Sequence, residues 1–228
     1  MYKFCFSVLV ALTSCVTAAA QTPFPVRYVD VGQTARVPAG EYVLSRETVV
    51  RGGTLILEAG VKIKVQSVGR PLQMAGGVLE IQGTESNPVV IEPDAGHTCG
   101  QILCYFGNGS RPKLSVSHLD YSTTKASAGT CFVLSATDFS FFDSAIYSAS
   151  AGSPRRGCIQ AGNDSQGIVS NCILECLKEP NVVTSGLIIG NGTSQTDKVV
   201  ANNIIAINCS NPININNRNA VGFSVTIE

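Results

Sequence analysis

The chain has 228 residues, with 16 Lys and Arg against 16 Asp and Glu, so it carries no formal net charge. That balance excludes a global electrostatic pull toward nucleic acid. Charged residues are only 14%, Gly numbers 22, Trp is absent and mean hydropathy is +0.21, a composition that suits apolar strands closed by Gly, Asn and Ser turns.

Residues 1–20 read MYKFCFSVLVALTSCVTAAA: one Lys, an apolar run from Phe4 to Val16, then small residues ending at Ala20. This is the order of a secretory signal cleaved near Ala20–Gln21, and the run is too short to span a membrane. An uncleaved anchor is the alternative, and no later run is long enough to supply another span. The expected location is secreted or extracellular, with the periplasm or cell surface as variants, and residues 21–228 form the single expected domain. Cys5 and Cys15 leave with the signal, so seven of the nine cysteines remain and at least one thiol stays unpaired within the chain.

TLILEAGVKIKV (54–65) and GVLEIQGTESNPVVIEP (77–93) alternate apolar and polar residues, with Gly and Asn-Pro at the corners, and read as strands. The stretches 94–100, 122–130, 149–157 and 177–186 read as surface excursions. Between them the sequence repeats. VSHLDYSTTK, FFDSAIYSAS, VSNCILECLK and VANNIIAINC place a polar residue at His118, Asp143, Asn171 and Asn202, at steps of 25, 28 and 31, and an apolar one at Tyr121, Ile146, Leu174 and Ile205. A second column, Cys104, Cys131, Cys158 and Leu187, recurs at steps of 27, 27 and 29. Periods of this size mean a solenoid. The 131–157 unit holds three apolar runs, 131–134, 139–142 and 145–148. The predicted fold is an all-β, right-handed parallel β-helix with three short strands per coil and about 25–31 residues per coil.

This settles Cys172 and Cys176 in VSNCILECLK. On a helix they would share one face, but on a strand they lie about 13 Å apart, too far for a common metal or a disulfide. Strand parity puts both on the side of Leu174, and Asp120 and Glu175 on the other. The chain ends in VGFSVTIE, a strand-like run without a polar cap, so the C-terminal edge is expected to pair with further coils or with another chain.

The phrases in 52–93, GGTLILEAGVKIKV and GGVLEIQGTESNPVVIEP, resemble the opening coils of secreted right-handed β-helix proteins of the pectate-lyase-like superfamily, with Ala59 where proline is usual. The polar column His118, Asp143, Asn171 and Asn202 resembles their asparagine ladder, which sits in the bend between the second and third strands, although His118 and Asp143 depart from it. The resemblance implies two kinds of enzyme. Pectate lyases hold calcium with several carboxylates beside an Arg base, and polygalacturonase-type hydrolases carry paired Asp motifs, a Gly-His-Gly and an Arg-Ile-Lys. Neither set is present: His97 sits in AGHTCG, and VKIKV lacks the arginine. No cofactor is expected, except calcium if the protein is a lyase.

Cys104, Cys131 and Cys158 are expected to stack in neighbouring coils, as small hydrophobes or with a disulfide between two of them; Cys99 with Cys104 is another candidate bridge. Three thiolates could take a soft metal, but no His lies in register, and no metal site is assigned. Asn108, Asn163, Asn191 and Asn208 begin N-x-Ser/Thr sequons that read as glycan acceptors or as turn residues. Lys125, Arg155, Arg156 and Lys178 lie in loops expected on one side of the solenoid, a basic stripe suited to carboxylates or sulfates of an acidic polysaccharide; ordinary solubilising charge is the plainer reading. The expected role is non-catalytic polysaccharide binding, or a structural or adhesive surface. The alternative is a polysaccharide lyase or glycoside hydrolase, for which Asp143, Asp120, Asp164 and Arg156 are the available groups.

Overall fold

The computed structural model describes residues 21–123, 129–149, 155–177, 182–190, 197–215 and 225–226, with only the backbone described for 155–156 and 225–226. These residues form a parallel β-solenoid without helices. Each coil contributes three strands to three stacked columns. The first column is an 8-stranded sheet of Tyr28–Asp30, Thr48–Arg51, Leu72–Ala75, Ile102–Tyr105, Thr130–Ser135, Arg155–Gly162, Val183–Ile189 and Asn211–Ile215. The second runs through Thr34–Val37, Thr54–Glu58, Val78–Gln82, Lys113–Ser117 and Asp138–Phe142. The third runs through Thr22–Pro23, Gly40–Leu44, Val61–Val65, Val89–Pro93, Leu119–Ser122 and Ala145–Ser148. Second and third columns merge in Gln166–Cys176, which pairs along its length with Lys198–Ile207, and Val225–Thr226 lies beside Ala201–Asn202.

The strand parity read from the sequence fixes what enters the core. On the second column Leu57, Ile81, Val116, Phe141, Val169 and Ala201 stack in register inside, each at most 1% exposed. On the third, Ile63, Ile91, Tyr121, Ile146 and Leu174 also stack inside, each at most 2% exposed. Three aromatic rings, one from each column, meet at the centre: Phe132 lies 5.1 Å from Tyr121 and 4.9 Å from Phe141, the latter edge to face. Tyr121 is buried but its hydroxyl is satisfied, donating to the Gly100 carbonyl, as a buried phenol requires. Gly167 is a packing requirement: a Cβ there would lie 2.0 Å from the Phe139 carbonyl and 2.7 Å from its ring.

Several expected registers shift. The polar column continues from Asn171 to Asn203, not to Asn202, because Ser170 pairs with Asn202 and Cys172 with Ile204. Leu174 accordingly meets Ala206, and Ile205 is 52% exposed. VVANNIIAI is apolar on both faces, so pattern alone cannot choose between two frames one residue apart. Cys131 and Cys158 are in register, but Cys104 aligns with Leu134 and its sulfur packs 3.4 Å from Met74 Sδ. The turn 106–112 is longer than its counterpart 136–137, which breaks the even spacing. Strands also begin inside two expected loops, at Arg155 and Val183, and Cys99 in 94–100 is fully buried, bridging Val68.

Candidate functional site

Outward residues of the third column form two parallel rows across the coils. One reads Glu41, Lys62, Val90, Asp120, Ala145, Ile173, Ile205. The other contains Lys64 beside Glu92, then Ser122, Tyr147, Glu175 and Ile207. Neighbours in a row are about 4.8 Å apart. Toward the N-terminal coils the rows are charge-paired, with Lys62 to Glu41 at 3.3 Å and Lys64 to Glu92 at 2.6 Å. Further along, the small side chains of Ser122 and Ala145 sit between larger neighbours and open a depression of about 280 Å³, lined by Val90, Glu92, Asp120, Tyr147, Ile173 and Glu175. Among the described residues neither Asp120 nor Glu175 has a Lys or Arg partner. Burial and then the Glu175 carboxylate raise the Tyr147 phenol above its ordinary pKa.

A second depression adjoins the first and shares Asp120, Ala145 and Ile173 with it; His118, Asp143 and Asn171 complete its outer wall. That wall is the polar column at the bend. His118, Asp143, Asn171 and Asn203 all have φ near +50° (46°, 50°, 54° and 48°), the left-handed conformation that Asn and Asp tolerate best. Asn203 Nδ2 donates to Asn171 Oδ1 at 3.0 Å, and Asn171 Nδ2 donates to Asp143 Oδ1 at 3.1 Å. Asp143, Asn171 and Asn203 are exposed at this bend, and its inward place belongs to Ser144 and Cys172, both buried. At the end of the column, His118 Nδ1 is buried without a hydrogen-bond partner.

Of the carboxylates singled out in the sequence, Asp120 and Asp143 therefore share one depression. Asp164 does not join them; it lies in the turn between the first and second columns, where its carbonyl accepts from Arg111 Nη2. Arg155 and Arg156 belong to the strand Arg155–Gly162, paired with Val183 and Thr184 rather than carried on a loop. Their side chains, and Lys125 and Lys178 altogether, lie outside the described residues, as does Asn191. Asn108, Asn163 and Asn208 are exposed turn residues. The sequence reading missed Tyr147, Glu92, Ala145 and Ser122; applying to every coil the parity that put Asp120 and Glu175 outward would have found them.

Among the described residues no three His, Cys, Asp or Glu side chains converge to hold a metal, so the donor set for a lyase-type calcium is not assembled among them. No known protein-family model matches the chain, and no significantly similar characterised protein was found.

Proposed function

We propose that this is a secreted β-helix protein, of the pectate-lyase-like kind, that binds an extended polysaccharide along the third-column face without cleaving it. The observation that carries the reading is the pair of joined depressions crossing consecutive coils, which offers a polymer repeated contacts at the spacing of the strands. Tyr147 and Ile173 present apolar surface for the carbon face of a sugar ring. Asp120 and Glu175 offer carboxylate oxygens as acceptors for hydroxyl groups. Carboxylates without a described basic partner repel uronates and sulfates, so this face favours a neutral glycan, whereas the acidic-polysaccharide expectation rests on Lys125, Arg155, Arg156 and Lys178.

A hydrolase reading draws on Asp120 and Asp143 sharing one depression, because glycoside hydrolysis uses two carboxyl groups across the scissile bond. The test is electrophoresis of the protein through gels containing neutral or acidic polysaccharides, with reducing ends followed in parallel. Retardation by a neutral polymer without new reducing ends supports binding. New reducing ends replace it with the hydrolase, and unchanged migration together with no new reducing ends on every polymer overturns both.

A further inference from the structure

The interior thiols cluster toward the C-terminal coils. Cys176 Sγ lies 3.4 Å from Cys209 Sγ and 4.0 Å from Cys158 Sγ. Cys176 ends the strand Gln166–Cys176, Cys158 faces it from Arg155–Gly162, and Cys209 sits in the turn between Lys198–Ile207 and Asn211–Ile215, one coil further on. Cys158, Cys176 and Cys209 are free thiols. Of the seven described cysteines, six are at most 1% exposed, and Cys209 alone is partly exposed. One sulfur of the pair is therefore accessible to an external reagent while its partner waits directly behind it.

We propose that Cys176 and Cys209 are an oxidation site whose disulfide staples two adjacent coils. The oxidant is a small-molecule or protein disulfide. Cys209, as thiolate, attacks one of its sulfurs, forming a mixed disulfide and expelling the first thiolate; Cys176 loses its proton to solvent, attacks Cys209 Sγ and expels the second. Two protein thiols are oxidised, and one external disulfide is reduced to two thiols. The sulfurs must close from 3.4 Å to about 2.05 Å, within reach of side-chain rotation at a turn residue. Cys158 is the competing partner for Cys176, but it is fully buried and cannot start the exchange from solvent. The hydrogen bond from Cys209 to Cys176, and then burial, raise the Cys209 pKa, so exchange quickens as pH rises.

The experiment treats the purified protein with glutathione disulfide at mildly alkaline pH, blocks remaining thiols under denaturing conditions, and maps unreduced peptides by mass spectrometry. The expected result is a Cys176–Cys209 cross-linked peptide, with the other five described thiols alkylated. The melting temperature should rise by about 5–10 °C and fall back on reduction. Cys209→Ser should melt within about 2 °C of the reduced wild type, as a conservative change at a partly exposed site should, and should not respond to oxidant. Seven alkylated thiols after oxidation, a Cys158–Cys176 bridge, or cross-links only between chains would each overturn the proposal.

Discussion

Asn203 donates its side-chain amide to Asn171 across the gap between two coils, at 3.0 Å, and both residues hold left-handed backbone at the same bend, with φ of 48° and 54°. One residue type thus supplies the bend conformation and the bond that locks neighbouring coils together. Asn171→Ala loses both ladder bonds and places an alanine in a region that costs about 1–2 kcal/mol, so a loss of about 2 kcal/mol is expected. Asn171→Gly keeps the conformation and should lose about half as much. Urea unfolding midpoints of the two variants check the split; equal losses would mean that the ladder bonds alone matter.

At the other end of the same column, His118 holds φ of 46° with a buried, unpartnered Nδ1. An unsatisfied buried group costs about 1–3 kcal/mol, and Asn is better suited to this conformation. His118→Asn should therefore stabilise the protein by about 1 kcal/mol, seen as a higher urea midpoint with unchanged slope.

The ring cluster of Tyr121, Phe132 and Phe141 joins all three columns. Phe132 is fully buried, and Phe132→Ala should cost about 3–5 kcal/mol. Phe132→Leu should cost clearly less, because it keeps most of the volume. Thermal melts of the two variants give the comparison.

The buried thiols make stability depend on alkaline pH. Burial pushes Cys99 up to about 12 and Cys172 up to about 11, and it raises Cys104 and Cys131 as well. The unfolded chain releases these protons near the ordinary thiol pKa of about 8.5, so above that pH it binds fewer protons than the folded state. Stability must then fall as pH rises, by up to about 1.4 kcal/mol per pH unit for each thiol, until the folded pKa is passed. Urea midpoints should be flat from pH 6 to 8 and drop steadily from pH 9 to 11 under reducing conditions. Cys99→Ala, which removes one such thiol, should make the drop shallower.

How far the sequence carried the structure depends on which coil is considered. The 131–157 pattern predicts strands at 131–134, 139–142 and 145–148, and the strands are Thr130–Ser135, Asp138–Phe142 and Ala145–Ser148. There, alternation and turn residues agree, and one frame puts Phe132, Leu134, Phe139, Phe141 and Ile146 inside. In VVANNIIAI they do not agree: Val200 and Ile205 remain 41% and 52% exposed, so hydrophobicity gives no vote, and two adjacent Asn residues compete for one bend. The site was less legible. Asp120 and Glu175 could be placed outward by parity, but the hollow between them exists only because Ser122 and Ala145 fall beside Tyr147 and Ile173 in neighbouring coils, a relation set by inter-coil register rather than by local pattern.

Filling that hollow separates binding from folding. Ala145 is partly exposed in the outward row, so Ala145→Leu should leave the melting temperature within about 2 °C of wild type while weakening polysaccharide retention at least tenfold.

The most direct test of the binding face compares wild type, Tyr147→Ala and Phe106→Ala for retardation by the polysaccharide that holds the wild type. Phe106 is 58% exposed and lies off this face, in the turn after Ile102–Tyr105, so it controls for general aromatic stickiness. The account predicts that Tyr147→Ala loses about 1–3 kcal/mol of binding, a drop of about fivefold or more, and that Phe106→Ala keeps wild-type retention. Equal retention of all three, or loss only in Phe106→Ala, would contradict a glycan site on the third-column face.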